Sequence, residues 1–162
     1  MGIGRAAAGV VAGLGLVGMG YAGIAGQDDT TRSESGAITE EGELGAFRIR
    51  LGDCIEGGFN GEVESVQGVP CEGPHLLETY HAFNLPDGPY PGDATVSELA
   101  DDGCYAAFEP WVGLSYEESI YGISSLTPTE GSWNAVDDRE VLCLVGNYDD
   151  TPKVGSAYQS RQ

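Results

Sequence analysis

The chain has 162 residues, with 26 acidic side chains against seven basic ones and a formal net charge of -19. That length is the expectation for one domain. A surface this acidic repels polyanions, which excludes DNA or RNA binding, and it disfavours contact with anionic lipid headgroups. Solubility is the plain reading of the acidity, and binding of cations or basic partners is the sharper one.

Residues 6–26 carry no charge and match the ~20 residues that a membrane-spanning helix needs. Arg5 precedes the run, and Asp28 and Asp29 follow it. That asymmetry predicts a cytoplasmic N-terminus and an extracytoplasmic body. Two outcomes stay open for residues 1–26. The run is retained as a transmembrane anchor, which its length favours, or it is a signal peptide cut near Ala25 and the protein is secreted. Gly23 and Ala25 supply the small residues a signal peptidase reads. The seven glycines in the run weaken an anchor helix. Residues 27–44 are acidic and polar, with little to bury, and are expected to form a flexible linker.

Residues 45–152 carry the fold. Phe47, Ile49 and Leu51 alternate with arginines, which predicts a strand. Residues 62–66 show a weaker alternation after a glycine-rich loop. Residues 76–83 alternate less cleanly, but Thr79, Tyr80 and Phe83 favour a strand. Three prolines make residues 86–92 a rigid connection. Thr95 and Glu98 then match a capping box. A helix is expected from there, with Val96, Leu99, Gly103, Ala107 and Phe108 on one face and a stop at Pro110. A helical turn at 116–119, a strand at 121–127 ended by Pro128, a turn at 129–133 and a buried strand at 140–148 complete the domain. Residues 153–162 are expected to be a disordered tail. Strands, one main helix and further strands argue an α+β domain with a small antiparallel sheet.

Cys54, Cys71, Cys104 and Cys143 are an even set in an exported body, which predicts two disulfides. Sequence alone allows three pairings. The favoured one joins Cys54 to Cys71 across a short glycine-rich loop and Cys104 to Cys143 between helix and last strand. Zinc would want closer pairs, so no metal site is expected. His75, Glu78 and His81 look at first like ligands. On one strand the two histidines would stand roughly 20 Å apart, with Glu78 on the opposite side. The expected role of His75 is to brace the turn after Cys71. Pro74, His75 and Glu78 form the candidate functional turn.

The chain has no G-x-S-x-G, C-x-x-C or Walker sequence, and neither catalytic residues nor a cofactor is assigned. Asp53, Glu78, Asp137 and Asp138 are possible members of a carboxylate pair. In so acidic a chain that pairing says little. Tyr80, Tyr90, Trp111, Tyr116, Tyr121 and Trp133 are candidates for a sugar or peptide groove, and more often serve as core anchors.

Four runs carry a resemblance: L-G-D-C at 51–54, V-P-C-x-x-P-H-x-x-E-x-Y at 69–80, N-L-P-D-G-P-Y-P-G at 84–92 and G-C-x-x-x-F at 103–108. Y-x-x-S-x-x-x-P-T at 121–129, Trp133 and D-R-x-V-x-C at 138–143 add to it. Together they resemble the septum-formation family of actinobacteria over residues 47–148. The resemblance implies a cell-envelope domain outside the membrane, often behind an anchor, and the same four cysteines as a disulfide frame. It supplies no catalytic residues. The expectation is a membrane-tethered binding or scaffolding module with an unknown envelope protein or cell-wall component as partner. The alternative is a small secreted hydrolase or carbohydrate-binding protein.

Overall fold

In the computed structural model, residues 2–4, 26–57, 59 and 61–162 are described. The expected membrane segment lies outside the described residues except for Gly26. Among the described residues no helix is long and apolar enough to cross a membrane.

Among the described residues the architecture is α+β, with two α-helices and two disulfides. The strands are β1 (Gly2–Gly4), β2 (Thr31–Arg32), β3 (Ile38–Glu40), β4 (Gly42–Gly45), β5 (Cys54–Glu56), β6 (Ser65–Val69), β7 (Pro74–His75), β8 (Leu77–Asn84), β9 (Tyr121–Thr127), β10 (Glu140–Asn147) and β11 (Lys153–Val154). The helices are α1 (Asp93–Val112) and α2 (Glu130–Val136). Seven strands form the main sheet in the order β1-β9-β10-β8-β5-β6-β4. Its pairs are antiparallel except β1 against β9, where Gly2–Gly4 lies parallel to the edge. Two small ladders, β2-β3 and β7-β11, lie beside it.

β10 explains the layering. It is apolar at nearly every position because both of its faces are covered. Val141, Cys143 and Val145 point into a core shared with Val96, Ala100, Cys104, Phe108 and Val112 of α1. Leu142 and Leu144 point the other way, into a core with Ile38, Leu44, Ala46, Ile49, Ile55 and Val66. The period of two thus divides one strand between two cores.

That second core overturns the expected linker. Ile38 and Leu44 are buried, β4 pairs with β6, and Arg32 grips Asp53 with two hydrogen bonds of 2.6 and 3.0 Å. Two apolar anchors and one bidentate ion pair order a segment whose composition looks unstructured. The expected strand over 47–51 is replaced by a 3₁₀ turn at Ala46–Arg48. Ala46 and Ile49 face the core there, while Leu51 stays 63% exposed.

β8 alternates poorly for a physical reason. Its register against β10 shifts so that His81 faces Cys143 and Thr79 faces Leu144, leaving Tyr80 as the extra residue of a bulge. The bulge aims Tyr80 at α1, where its hydroxyl donates to the Cys104 carbonyl at 2.5 Å. Its ring packs edge-on against Phe108, with centroids 6.1 Å apart.

α1 runs two residues past Pro110. A proline in the last turn forgoes one backbone donor, and Gly113 closes the end in the left-handed conformation with its N–H on the Glu109 carbonyl. The buried face is Val96, Ala100, Cys104, Phe108 and Val112, whereas Leu99 is partly exposed. The expected capping box at Thr95 lies inside the helix. A capping box forms instead at α2, where Thr129 and Ser132 exchange side chain–backbone bonds. This replaces the expected turn at 129–133. Thr129→Ala is expected to cost about 1 kcal/mol, read as a lower urea midpoint at unchanged slope.

A buried histidine–glutamate–lysine cluster beside a disulfide

The cysteines pair as Cys54–Cys71 and Cys104–Cys143, each with Cα atoms 5.3 Å apart. The second bridge joins α1 to β10. The first joins β5 to the turn that leads into β7.

Pro74, His75 and Glu78 stand next to that first bridge. Pro74 is exposed, and both His75 and Glu78 are buried. The expectation that Glu78 faces away from His75 is wrong. Cys54 Sγ, a ring nitrogen of His75 and a carboxylate oxygen of Glu78 lie within 4.8 Å of one another. The cause is a change of sheet. Pro74–His75 pairs with β11, and the chain enters the main sheet only at Leu77, opposite Ile55. At the crossing the Leu76 N–H donates to the Ile55 carbonyl. β10 passes so close that a Cβ on Gly146 would meet the Leu76 carbonyl oxygen at 2.3 Å. Glycine is needed at that point.

Glu78 is fully engaged. It accepts from Lys153 Nζ at 2.7 Å, Ser156 Oγ at 2.5 Å and the Ala157 N–H at 2.8 Å. Lys153 also donates to the Gly155 carbonyl. Burial lowers the Lys153 pKa, opposed by the hydrogen bond and charge of Glu78. These contacts overturn the expected loose tail: β11 pairs with β7 and Ala157 is buried. Sequence reasoning missed Lys153, Ser156 and Ala157. The available signal was one lysine in an acidic chain, followed closely by Val154 and Ala157.

His75 braces its turn as expected, with Nδ1 2.9 Å from the Gly73 carbonyl. A carbonyl only accepts, so Nδ1 carries the proton and Nε2 presents a lone pair. That Nε2 is buried without a partner. Burial lowers the pKa of His75, and the Lys153 ammonium adds to this against the Gly73 carbonyl and Glu78. The unfolded chain therefore takes up a proton as pH falls through roughly 6.5, before the folded chain does. Stability held above that pH is lost below it, at up to about 1.4 kcal/mol per pH unit for one proton. Urea midpoints from pH 7.5 to 5.5 are expected to fall, and His75→Phe is expected to flatten that slope.

The other candidates also resolve into braces. Asp53 holds Arg32 and accepts from the Arg50 N–H. Asp138 accepts from Ser132 Oγ and the Glu140 N–H. Asp137 is exposed and pairs with Arg139 at 2.7 Å. Trp133 donates to the Gly88 carbonyl, meets Tyr90 edge-on and lies under the Arg139 guanidinium at 3.7 Å. Tyr80 and Tyr121 are buried, and Trp111 and Tyr116 pack at the margin of the same core. Most of the carboxylates and rings suggested for hydrolysis or sugar binding are thus spent on turns and packing. Shallow acidic hollows remain among the described residues. One, of about 570 Å³, includes Tyr105, Glu109, Tyr116 and Glu117. Another, of about 720 Å³, includes Glu62, Tyr90, Asp93 and Glu130.

What this arrangement defines is a disulfide-stapled α+β domain whose charged motifs hold its own turns together. A family model described as septum formation matches residues 51–161, more than half of the chain. The chain belongs to the septum-formation family, which associates it with septum formation or cell division. The match takes in the clamped C-terminal segment as well as the disulfide frame. No curated protein matches the chain. No solved structure matches it.

Proposed function

We propose that the protein is an extracytoplasmic binding or scaffolding module of the cell envelope, tethered by residues 6–26 and acting in septum formation. The carrying observation is that all four cysteines are closed in two disulfides, the state of an oxidising compartment. Arg32 and Lys153 are committed to buried ion pairs with Asp53 and Glu78, so few basic groups are left to interrupt an acidic surface. Such a body stands off anionic lipid and suits a partner with a basic face.

In this reading the anchor and the Gly2–Gly4 pairing are alternatives. A chain with residues 1–5 on the cytoplasmic side leaves the β9 edge open. Two measurements test the proposal. The intact mass of membrane-fraction protein should retain residues 1–26 and lack four cysteine hydrogens. A C-terminal fusion to a fluorophore that matures outside the membrane should concentrate at division septa. Diffuse secretion, or four free thiols in the native protein, would sink it.

A further inference from the structure

We infer that Cys54–Cys71 is a thiol–disulfide exchange site, open to a thiol reductant at Cys71 and built to receive the released Cys54 sulfur at His75. The inference does not depend on the tethering proposed above. Three observations carry it.

The bridge is lopsided. Cys54 is fully buried, whereas Cys71 is half-exposed on its turn. An incoming thiolate reaches a disulfide along the S–S axis, so access decides which sulfur is attacked. Here that sulfur is Cys71. Cys104 and Cys143 are both fully buried and offer no such entry.

The leaving sulfur has a waiting partner. His75 is 1% exposed and its Nε2 accepts no hydrogen bond. Buried polar atoms without a partner are rare and ask for a reason, redox chemistry among them. Cys54 Sγ lies within 4.8 Å of a ring nitrogen of His75. In the disulfide, Cys54 has no hydrogen to give. Once reduced, its S–H has one, and a sulfur freed from the bridge has only to close the remaining gap for Nε2 to gain the bond it lacks. The reduced form is therefore favoured by an interaction that the oxidised form cannot make.

The surrounding charge is neutral. Glu78 and Lys153 face the same space as an ion pair, and Asp53 is turned to Arg32. Nothing there drives Cys54 to stay ionised, so a neutral thiol donating to imidazole is the expected product.

The step balances. A reductant thiol ionises, and its thiolate attacks Cys71 Sγ. The S–S electron pair leaves on Cys54 Sγ, which takes the proton given up by the attacking thiol. A mixed disulfide remains on Cys71. A second reductant thiolate attacks the reductant sulfur of that mixed disulfide. Cys71 leaves and takes the second proton. The protein disulfide is reduced by two electrons, and two reductant thiols become one disulfide.

The test uses the full oxidised chain in graded glutathione buffers, quenched with acid, alkylated and mapped by mass spectrometry. Cys54–Cys71 should open where Cys104–Cys143 stays closed. Trapped glutathione should sit on Cys71 and not on Cys54. His75→Phe should favour the disulfide about tenfold, or about 30 mV for this two-electron couple, with Cys104–Cys143 unmoved as the internal reference. Simultaneous opening of both wild-type bridges, or glutathione on Cys54, overturns the inference. So does a folded His75→Phe chain with an unchanged equilibrium. If that variant fails to fold, the wild-type mapping decides by itself.

Discussion

Glu78→Ala is expected to destabilise the domain by about 3–5 kcal/mol, the range for stranding one partner of a buried ion pair. The carboxylate is 2% exposed and ties together three groups more than 70 positions away in sequence. Its removal leaves the Lys153 ammonium buried beside no anion and strips the Ala157 N–H of its acceptor. Against a typical net stability of about 5–15 kcal/mol, that is a large fraction. The lysine relieves part of the cost by losing its proton or by swinging out, and swinging out undocks β11. Limited proteolysis should therefore cut within residues 149–162 of the variant well before the rest of the domain. The paired variant Glu78→Met with Lys153→Met should recover the part of the loss owed to the stranded ammonium, because apolar side chains of similar length need no charge partner, while the Ala157 N–H still lacks its acceptor. A single variant within 1 kcal/mol of wild type in urea would mean that the clamp does not hold the C-terminal segment.

The same cluster marks the boundary of what the sequence made legible. β9 and β10 are read well because their signals are local: alternation or a continuous apolar run, bounded by Pro128 on one side and the Asn147 turn on the other. α1 is read well except at its ends, where Asp93 enters two residues before Thr95 and Gly113 provides a stop beyond Pro110. Of the three cysteine pairings the sequence allows, the structure has the favoured one, with a short loop closed by Cys54–Cys71 and the helix tied to the last main strand by Cys104–Cys143. Elsewhere the decisive contacts are long-range. Arg32 meets Asp53 across 21 positions, and Lys153 meets Glu78 across 75. No window of sequence contains both partners, so both segments look like loose polar chain. The alternation of Phe47, Ile49 and Leu51 misled for the opposite reason. It is a local signal overruled by a tight turn that buries Ala46 and Ile49. The convergence of His75 with Glu78 was hidden by the change of sheet at Leu76, which a single-strand reading cannot contain. Most of the candidate site was therefore named by residue, while its geometry was not.

The family motifs gain a physical meaning from this. L-G-D-C supplies the Asp53 anchor and one sulfur, the P-H-x-x-E run supplies the turn brace and the C-terminal clamp, and D-R-x-V-x-C supplies the Trp133 lid and the second bridge. A domain of this size buries a limited core. Cross-links and charged clasps at its turns then take a correspondingly larger share in fixing one structure.

Replacing Cys104 and Cys143 together by alanine is expected to cost about 4 kcal/mol, more than the about 3 kcal/mol for Cys54 and Cys71, because the second bridge closes 39 residues against 17. The entropy term acts on the unfolded chain, so the loss should appear without new exposed surface in the native state. A native-state term adds to it. The bridge fixes α1 over β10 at the level where the Tyr80 hydroxyl reaches the Cys104 carbonyl. Tyr80→Phe alone leaves that carbonyl to its helical partner and should cost about 1 kcal/mol. In the bridge-free background the same change should cost measurably less, since α1 is then free to drift from the bulge that aims Tyr80; contacts sharing one element couple in this way. Urea unfolding of the four chains of the cycle, under non-reducing conditions, reads both effects. A bridge loss below about 1 kcal/mol would show that packing of Val96, Ala100 and Phe108 holds the helix by itself. Strict additivity would separate the bulge from the bridge and leave Tyr80 as an independent anchor.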